Sequence, residues 1–249
     1  MTEASGPVLT LAGTRATIRL NRPSQHNRLE PADLDALMAL LDDLAGRTDL
    51  RVLVLTGTGP SFCSGFDLKA LAAGAGGVGF HQVVDRLEAF PLPTVAALQG
   101  SVYGGATDLA LACDFRIGVT AMKLVMPAGR LGIQYYPSGL ERAVTRLGLT
   151  AAKRLFLLAE PVDAPNLLAI GYLDRLVEPD QLAAAIDEIA GILAGNAPVA
   201  IRGMKHSLNA IARGTLDRAA AEAAYRASIR SDELAEGLKA FAEKRKPVY

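Results

Sequence analysis

The apolar run Thr94–Leu98 leads into residues 99–111, QGSVYGGATDLAL, where two adjacent glycines, Gly104 and Gly105, open a pattern that reads as helix. A strand, a glycine turn and a helix in direct succession constrain the chain to an α/β arrangement at this point. A glycine-rich turn entering a helix leaves backbone N–H groups without intrahelical partners. Such groups suit an anion, or an oxygen that becomes anionic during a reaction. Asp108 follows Gly105 by about one helical turn, so its carboxylate can face the same space. A donor beside a carboxylate suits proton removal next to a carbonyl.

A second segment of the same kind lies upstream. The run RVLVLTG at 51–57 reads as a buried strand, and SFCSGFDL follows at 61–68. Gly65 lets the backbone turn so that the N–H of Phe66 points into a cleft. Phe66 and Gly105 together supply two donors, enough to grip one developing oxyanion.

Other features bound the function classes. With 249 residues the chain is long enough for a sizeable core. Half of the residues are apolar, yet no stretch reaches the ~18 that a membrane span requires. The N-terminal MTEASGPVLTL has acids and no basic region, unlike a secretory signal. Its 26 basic and 26 acidic residues cancel, which argues against nucleic acid as the main partner. Cys63 and Cys113 stand in apolar surroundings without metal-ligand spacing and read as reduced core thiols of a cytoplasmic protein. The histidines, His26, His81 and His206, form no metal motif, and no resident cofactor is expected.

Strands are expected at 8–12, 16–20, 52–56, Thr94–Leu98, Phe115–Val119 and 123–126, and an amphipathic helix at 29–45 with Pro31 in its first turn and Gly46 ending it. The stretch LAAGAGGVG at 71–79 reads as a mobile surface loop. Residues 198–246 read as almost wholly helical, with breaks at Gly214 and Ser231. The organisation expected is a core over 1–195 and a helical segment over 196–249.

These segments, in this order, resemble the crotonase superfamily, the enoyl-CoA hydratase/isomerase family. Asn21-Arg22-Pro23 and Asn27-Arg28-Leu29 look like its early LNRP…NAL pattern. RVLVLTGTGPSFCSGFDL and QGSVYGGATDLALACDFRI look like its two oxyanion-hole segments, and GLKAFAEKRKP like its C-terminal signature. The resemblance implies a spiral of ββα units followed by a helical C-terminal segment that builds trimers, often paired into hexamers. It implies an acyl-CoA substrate whose thioester oxygen is held by the N–H groups of Phe66 and Gly105 as an enolate forms. CoA contacts carry over to Arg28, Cys63, Ser64, Tyr225, Phe241 and Lys244.

Family hydratases use two glutamates. One matches Asp108; the other matches Ala128 in MPAGRLG. Adding water across a double bond needs both a base and an acid, so ordinary hydration is in question here. The stretch GSVYGGA together with LGIQYYPSG resembles the methylmalonyl-CoA decarboxylase branch, in which a tyrosine at the Tyr135 position borders the departing carboxylate. Tyr136 is the lesser candidate of the pair. That branch has a histidine where this chain has Phe66. The candidates are therefore an acyl-CoA enzyme acting through an enolate, with Phe66, Gly105, Asp108 and Tyr135 at its centre, a decarboxylase of that kind, and a non-catalytic thioester binder.

Overall fold

Residues 6–74 and 77–249 are described by the computed structural model. Residues 1–5, within the segment weighed as a signal, and residues 75–76, within the expected loop at 71–79, lie outside them.

The chain opens with an antiparallel hairpin, β1 (Gly6–Ala12) and β2 (Arg15–Asn21), followed by α1 (Pro31–Ala45). Proline stands at the start of α1, where no N–H is needed, and Leu34, Leu37, Leu41 and Leu44 form its buried face. The chain then repeats one unit. β3 (Val52–Gly57) is followed by β4 (Ser61–Cys63), β5 (Thr94–Leu98) by β6 (Ser101–Tyr103), and β7 (Phe115–Val119) by β8 (Lys123–Val125). In each pair the first strand joins one sheet and the second joins another. The large sheet runs β1-β2-β3-β5-β7-β10 and the small one β4-β6-β8-β9, with β9 at Val162–Asp163 and β10 at Arg175–Val177. From β2 onward the large sheet is parallel. Such strands are covered on both faces, which is why β3 and β5 read as unbroken apolar runs rather than alternating ones.

Helices fill the turns of this spiral: α2 (Leu68–Ala72), α3 (Phe80–Glu88), α4 (Ala106–Leu111) and α5 (Pro137–Lys153), the last broken at Gly148. After α6 (Ala164–Ala169) and α7 (Leu182–Ala194) come α8 (Pro198–Ala212), α9 (Arg218–Ser228) and α10 (Asp232–Ala242). The breaks fall where expected: Gly214 has a φ of +65°, and Ser231 caps α10 through its hydroxyl. Helix α8 is tied to the spiral by Lys205, which bonds Leu92 O and pairs with Asp114, and by Asn209, which donates to Glu88 O.

The sequence reading placed no helix at α2, α3, α5, α6 or α7 and no strand at β4, β6, β9 or β10, and its loop at 71–79 begins inside α2, which holds Leu71 and Ala72. It started α1 two residues early and ended β8 one residue late. No single helix among the described residues is long and apolar enough to cross a membrane.

Candidate active site

Two consecutive turns of the spiral place Phe66 and Gly105 side by side. Gly65 has a φ of +85°, and a Cβ there would stand 2.8 Å from the Gly105 nitrogen and 3.1 Å from Tyr103 O. Only glycine allows that conformation at that approach. The preceding loop holds this turn in place. Leu29 N donates to Gly65 O, Asp67 N donates to Leu29 O, and the buried Asn27 amide lies against the carbonyls of Thr58, Ser61 and Phe62 at 2.8, 2.8 and 3.1 Å. Asp67 and Gly104 donate their N–H groups to backbone carbonyls. Among the described residues the N–H groups of Phe66 and Gly105 meet no acceptor.

Both border a cavity of about 410 Å³. Its wall is mainly apolar, with Phe66, Leu68, Val78, Phe80, Met126 and Ile133 among the side chains, and Tyr135 and Tyr136 close one side. Ala128 lies in the wall. No carboxylate is present among the described residues of the wall.

Asp108 is displaced from the position expected of it. It is 1% exposed and stands behind the tyrosines. Arg142 Nη1 reaches its two oxygens at 2.7 and 2.6 Å, and the Tyr136 hydroxyl donates to Oδ2. The Tyr135 hydroxyl donates to that of Tyr136 at 3.2 Å, and the two rings stack with centroids 4.3 Å apart. Tyr136, ranked below Tyr135 from the sequence, is thus the one that touches Asp108. Gly139 makes the arrangement possible: a Cβ there would come within 2.5 Å of the Tyr135 ring, 2.7 Å of Asp108 Oδ2 and 2.8 Å of the Tyr136 ring.

Burial pushes the pKa of Tyr135 well above the phenol range, and the Asp108 charge adds to it. For Tyr136 burial is again the first cause of an upward shift, with Tyr135 and Asp108 adding to it. Both hydroxyls therefore stay protonated. Burial alone would lower the Arg142 pKa; the contacts with Asp108 and Asp85 outweigh it and raise it. Helix α4, which carries Asp108, is fixed at both ends. Tyr172 donates to Thr107 O at 3.0 Å, and Arg146 donates to Leu111 O and Cys113 O.

The remaining residues singled out from sequence are dispersed. Ser64 lines the cavity, whereas Cys63 is fully buried beneath it, its Sγ donating to Asn27 O at 3.1 Å. Arg28 pairs with Glu30 and Asp67 at 2.9 Å each. Tyr225 on α9 and Phe241 on α10 are 60% and 85% exposed. Neither they nor Lys244 reach the cavity wall. Arg142, Asp85 and Glu88, which hold the buried end of the site, went unread in the sequence. His81, read from the sequence only as a histidine outside any metal motif, lines the cavity, and its ring lies 5.8 Å from that of Tyr136.

Paired backbone donors beside an apolar cavity, built where successive ββα turns meet, are an arrangement suited to an oxyanion. The sequence profile of the enoyl-CoA hydratase/isomerase family matches residues 12–249, and the chain belongs to that family. Crotonyl-CoA hydratase of Syntrophomonas wolfei is 33% identical over 247 residues, covering 94% of each chain. Methylmalonyl-CoA decarboxylase of Escherichia coli is 29% identical over 245 residues, again covering 94% of each. The crystal structure of an enoyl-CoA hydratase from Bacillus anthracis superposes with a TM-score of 0.88 at 31% identity, covering 98% of both chains.

Proposed function

We propose that the protein decarboxylates an acyl-CoA thioester carrying a carboxylate on its α-carbon, and that it does not hydrate enoyl-CoA. The observation that carries this reading is the absence of any carboxylate from the described cavity wall. Hydration and base-driven isomerisation both need a group that takes a proton within reach of the substrate. Ala128 offers none, both oxygens of Asp108 are occupied, and His81 stands alone on the described wall as a group able to take a proton, one group where hydration needs both an acid and a base.

Decarboxylation forms the enolate without a base. The bond from the α-carbon to the carboxylate breaks and carbon dioxide leaves. The electron pair passes into the thioester, whose oxygen takes the charge between the Phe66 and Gly105 N–H groups. The α-carbon then accepts one proton. The apolar wall disfavours the substrate carboxylate, and loss of carbon dioxide moves that charge onto the thioester oxygen, between the two N–H donors. Tyr135 and Tyr136 border the same space as protonated hydroxyls. The 29% identity to a methylmalonyl-CoA decarboxylase supports the reading. Relatives that are hydratases match as well or better, at 33% for the crotonyl-CoA hydratase, so the reading is supported by the wall of the cavity rather than by identity.

CoA is taken to contact the rim at Ser64, with Arg28, Tyr225, Phe241 and Lys244 as further contacts on the strength of the family resemblance; Cys63, expected as a contact from the sequence, is fully buried and offers CoA no surface. Arg28 would have to release a carboxylate partner to meet a phosphate. The helices α8–α10 expose Val199, Leu208, Leu238 and Phe241, each more than 60% accessible. Such a surface favours assembly into a homotrimer or a pair of trimers. The test is a mass-spectrometric turnover screen over crotonyl-, 3-enoyl-, methylmalonyl- and ethylmalonyl-CoA. Loss of carbon dioxide from a malonyl-type thioester supports the reading, and turnover of crotonyl-CoA alone overturns it.

A further inference from the structure

The Arg142 side chain is fully buried and faces three carboxylates. Its Nη1 bonds both oxygens of Asp108, and its Nη2 bonds Asp85 at 2.6 Å and Glu88 at 3.2 Å. Arg213 and Arg146 also pair with Glu88, so three guanidinium groups balance three carboxylates. A buried charge tolerates this setting only when it is matched and hydrogen-bonded. The charge of Asp108 is thus already spent inside the protein.

This fixes the direction of each hydroxyl bond. A carboxylate accepts and does not donate, so the single Tyr136 proton is committed to Asp108. The Tyr136 oxygen can then only accept from its neighbour, and Tyr135 donates to it at 3.2 Å. That last bond is long for O–H···O and is the easiest in the chain to give up.

We propose that Arg142 is a positioning residue: by matching the charge of Asp108 it makes that carboxylate the fixed end of a hydroxyl chain running Tyr135 to Tyr136 to Asp108, and so leaves proton delivery to Tyr135. The inference rests on the enolate reading given above. When the enolate carbon needs a proton, Tyr135 releases Tyr136 and turns its O–H to the cavity. The O–H bond breaks, the C–H bond forms, and water entering the cavity returns a proton to the phenolate and departs as hydroxide. Asp108 moves no proton.

The test has two arms on the full chain. The first needs no ligand. In protein labelled at tyrosine Cζ, the carbon resonances of Tyr135 and Tyr136 are assigned from Tyr135→Phe and Tyr136→Phe. Asp108→Asn and Arg142→Lys should each displace both, and unmoved resonances in a folded variant overturn the hydroxyl chain. The second arm measures kcat and KM with methylmalonyl-CoA. Tyr135→Phe should lower kcat by about 10²-fold or more at unchanged KM, in the range of a lost proton donor. Asp108→Asn retains an oxygen that can accept from Tyr136, and should lower kcat by about tenfold or less, well short of the 10²–10⁴ typical of a lost base. A larger loss in Asp108→Asn than in Tyr135→Phe overturns the proposal. If the wild type turns over no malonyl-type thioester, the decarboxylase reading fails, and the resonance arm still decides the role of Arg142.

Discussion

Replacing Gly139 by Ala adds one methyl group at the point where the tyrosine pair meets Asp108. The added Cβ falls 2.5, 2.7 and 2.8 Å from atoms of Tyr135, Asp108 and Tyr136. None of the three can easily give way. Tyr135 packs on Phe156 at 5.2 Å between ring centroids, Tyr136 is bonded to Asp108, and Asp108 is gripped by Arg142. Two effects oppose each other. Alanine is a better helix former than glycine by about 1 kcal/mol in a helix interior, and less in this first turn of α5. Overpacking a rigid site costs roughly 1–3 kcal/mol. The balance is a net loss of about 1–2 kcal/mol, or a fall in Tm of roughly 2–8 °C for a chain of this size. Misplacing a reacting hydroxyl by about 1 Å costs up to ~10²-fold in rate, so kcat should fall by about 10–100-fold. The control is Gly191→Ala in the middle of α7, where a Cβ meets nothing within 4 Å. That variant should be neutral or slightly stabilised and fully active. Thermal melts and turnover of the accepted thioester measure both. A Gly139→Ala protein as stable and active as the control would refute the packing argument.

Other outcomes follow from the same geometry. Gly105→Pro removes one of the two backbone donors and should lower activity by about 10²–10³-fold while leaving the fold and the light-scattering mass unchanged, as read by turnover, circular dichroism and light scattering. Cys63 and Cys113 are fully buried, and burial pushes their thiols from the ordinary 9.0 up to about 12. The folded state thus holds those protons more tightly than the unfolded one, so their contribution to stability is complete below pH 9 and is lost as pH rises toward about 12. Denaturant melts should show this decline, and neither thiol should react with an alkylating agent at pH 8 before unfolding. Phe241, 85% exposed on α10, belongs to the surface proposed for assembly, and on that proposal Phe241→Glu should shift light-scattering mass toward the monomer at micromolar concentration.

The parts of the fold legible in the sequence are those with a local cause. Strands β3, β5 and β7 announce themselves because buried parallel strands carry unbroken apolar runs. The glycines at 65 and 104 are legible because a turn into a cleft needs their left-handed φ values of +85° and +56°. Strands β4, β6, β9 and β10 are two or three residues long, too short for any periodicity. The buried end of the site is hidden for another reason. Arg142 meets Asp108 across 34 positions, Glu88 across 54 and Asp85 across 57, and no pattern along the chain encodes such pairs. Composition near Asp108 suggests an unpaired carboxylate among small apolar residues. Its actual partners arrive from α5, so its role changes once the spiral closes.

Turnover in heavy water tests the central claim most directly. Methylmalonyl-CoA and crotonyl-CoA are incubated separately with the protein in ²H₂O, and the thioesters are followed by mass spectrometry. An enolate formed without a base and quenched by an exchangeable tyrosine proton predicts propionyl-CoA carrying one deuterium on its α-carbon, with crotonyl-CoA unchanged. Conversion of crotonyl-CoA to its hydroxyacyl product, with methylmalonyl-CoA left intact, would contradict it.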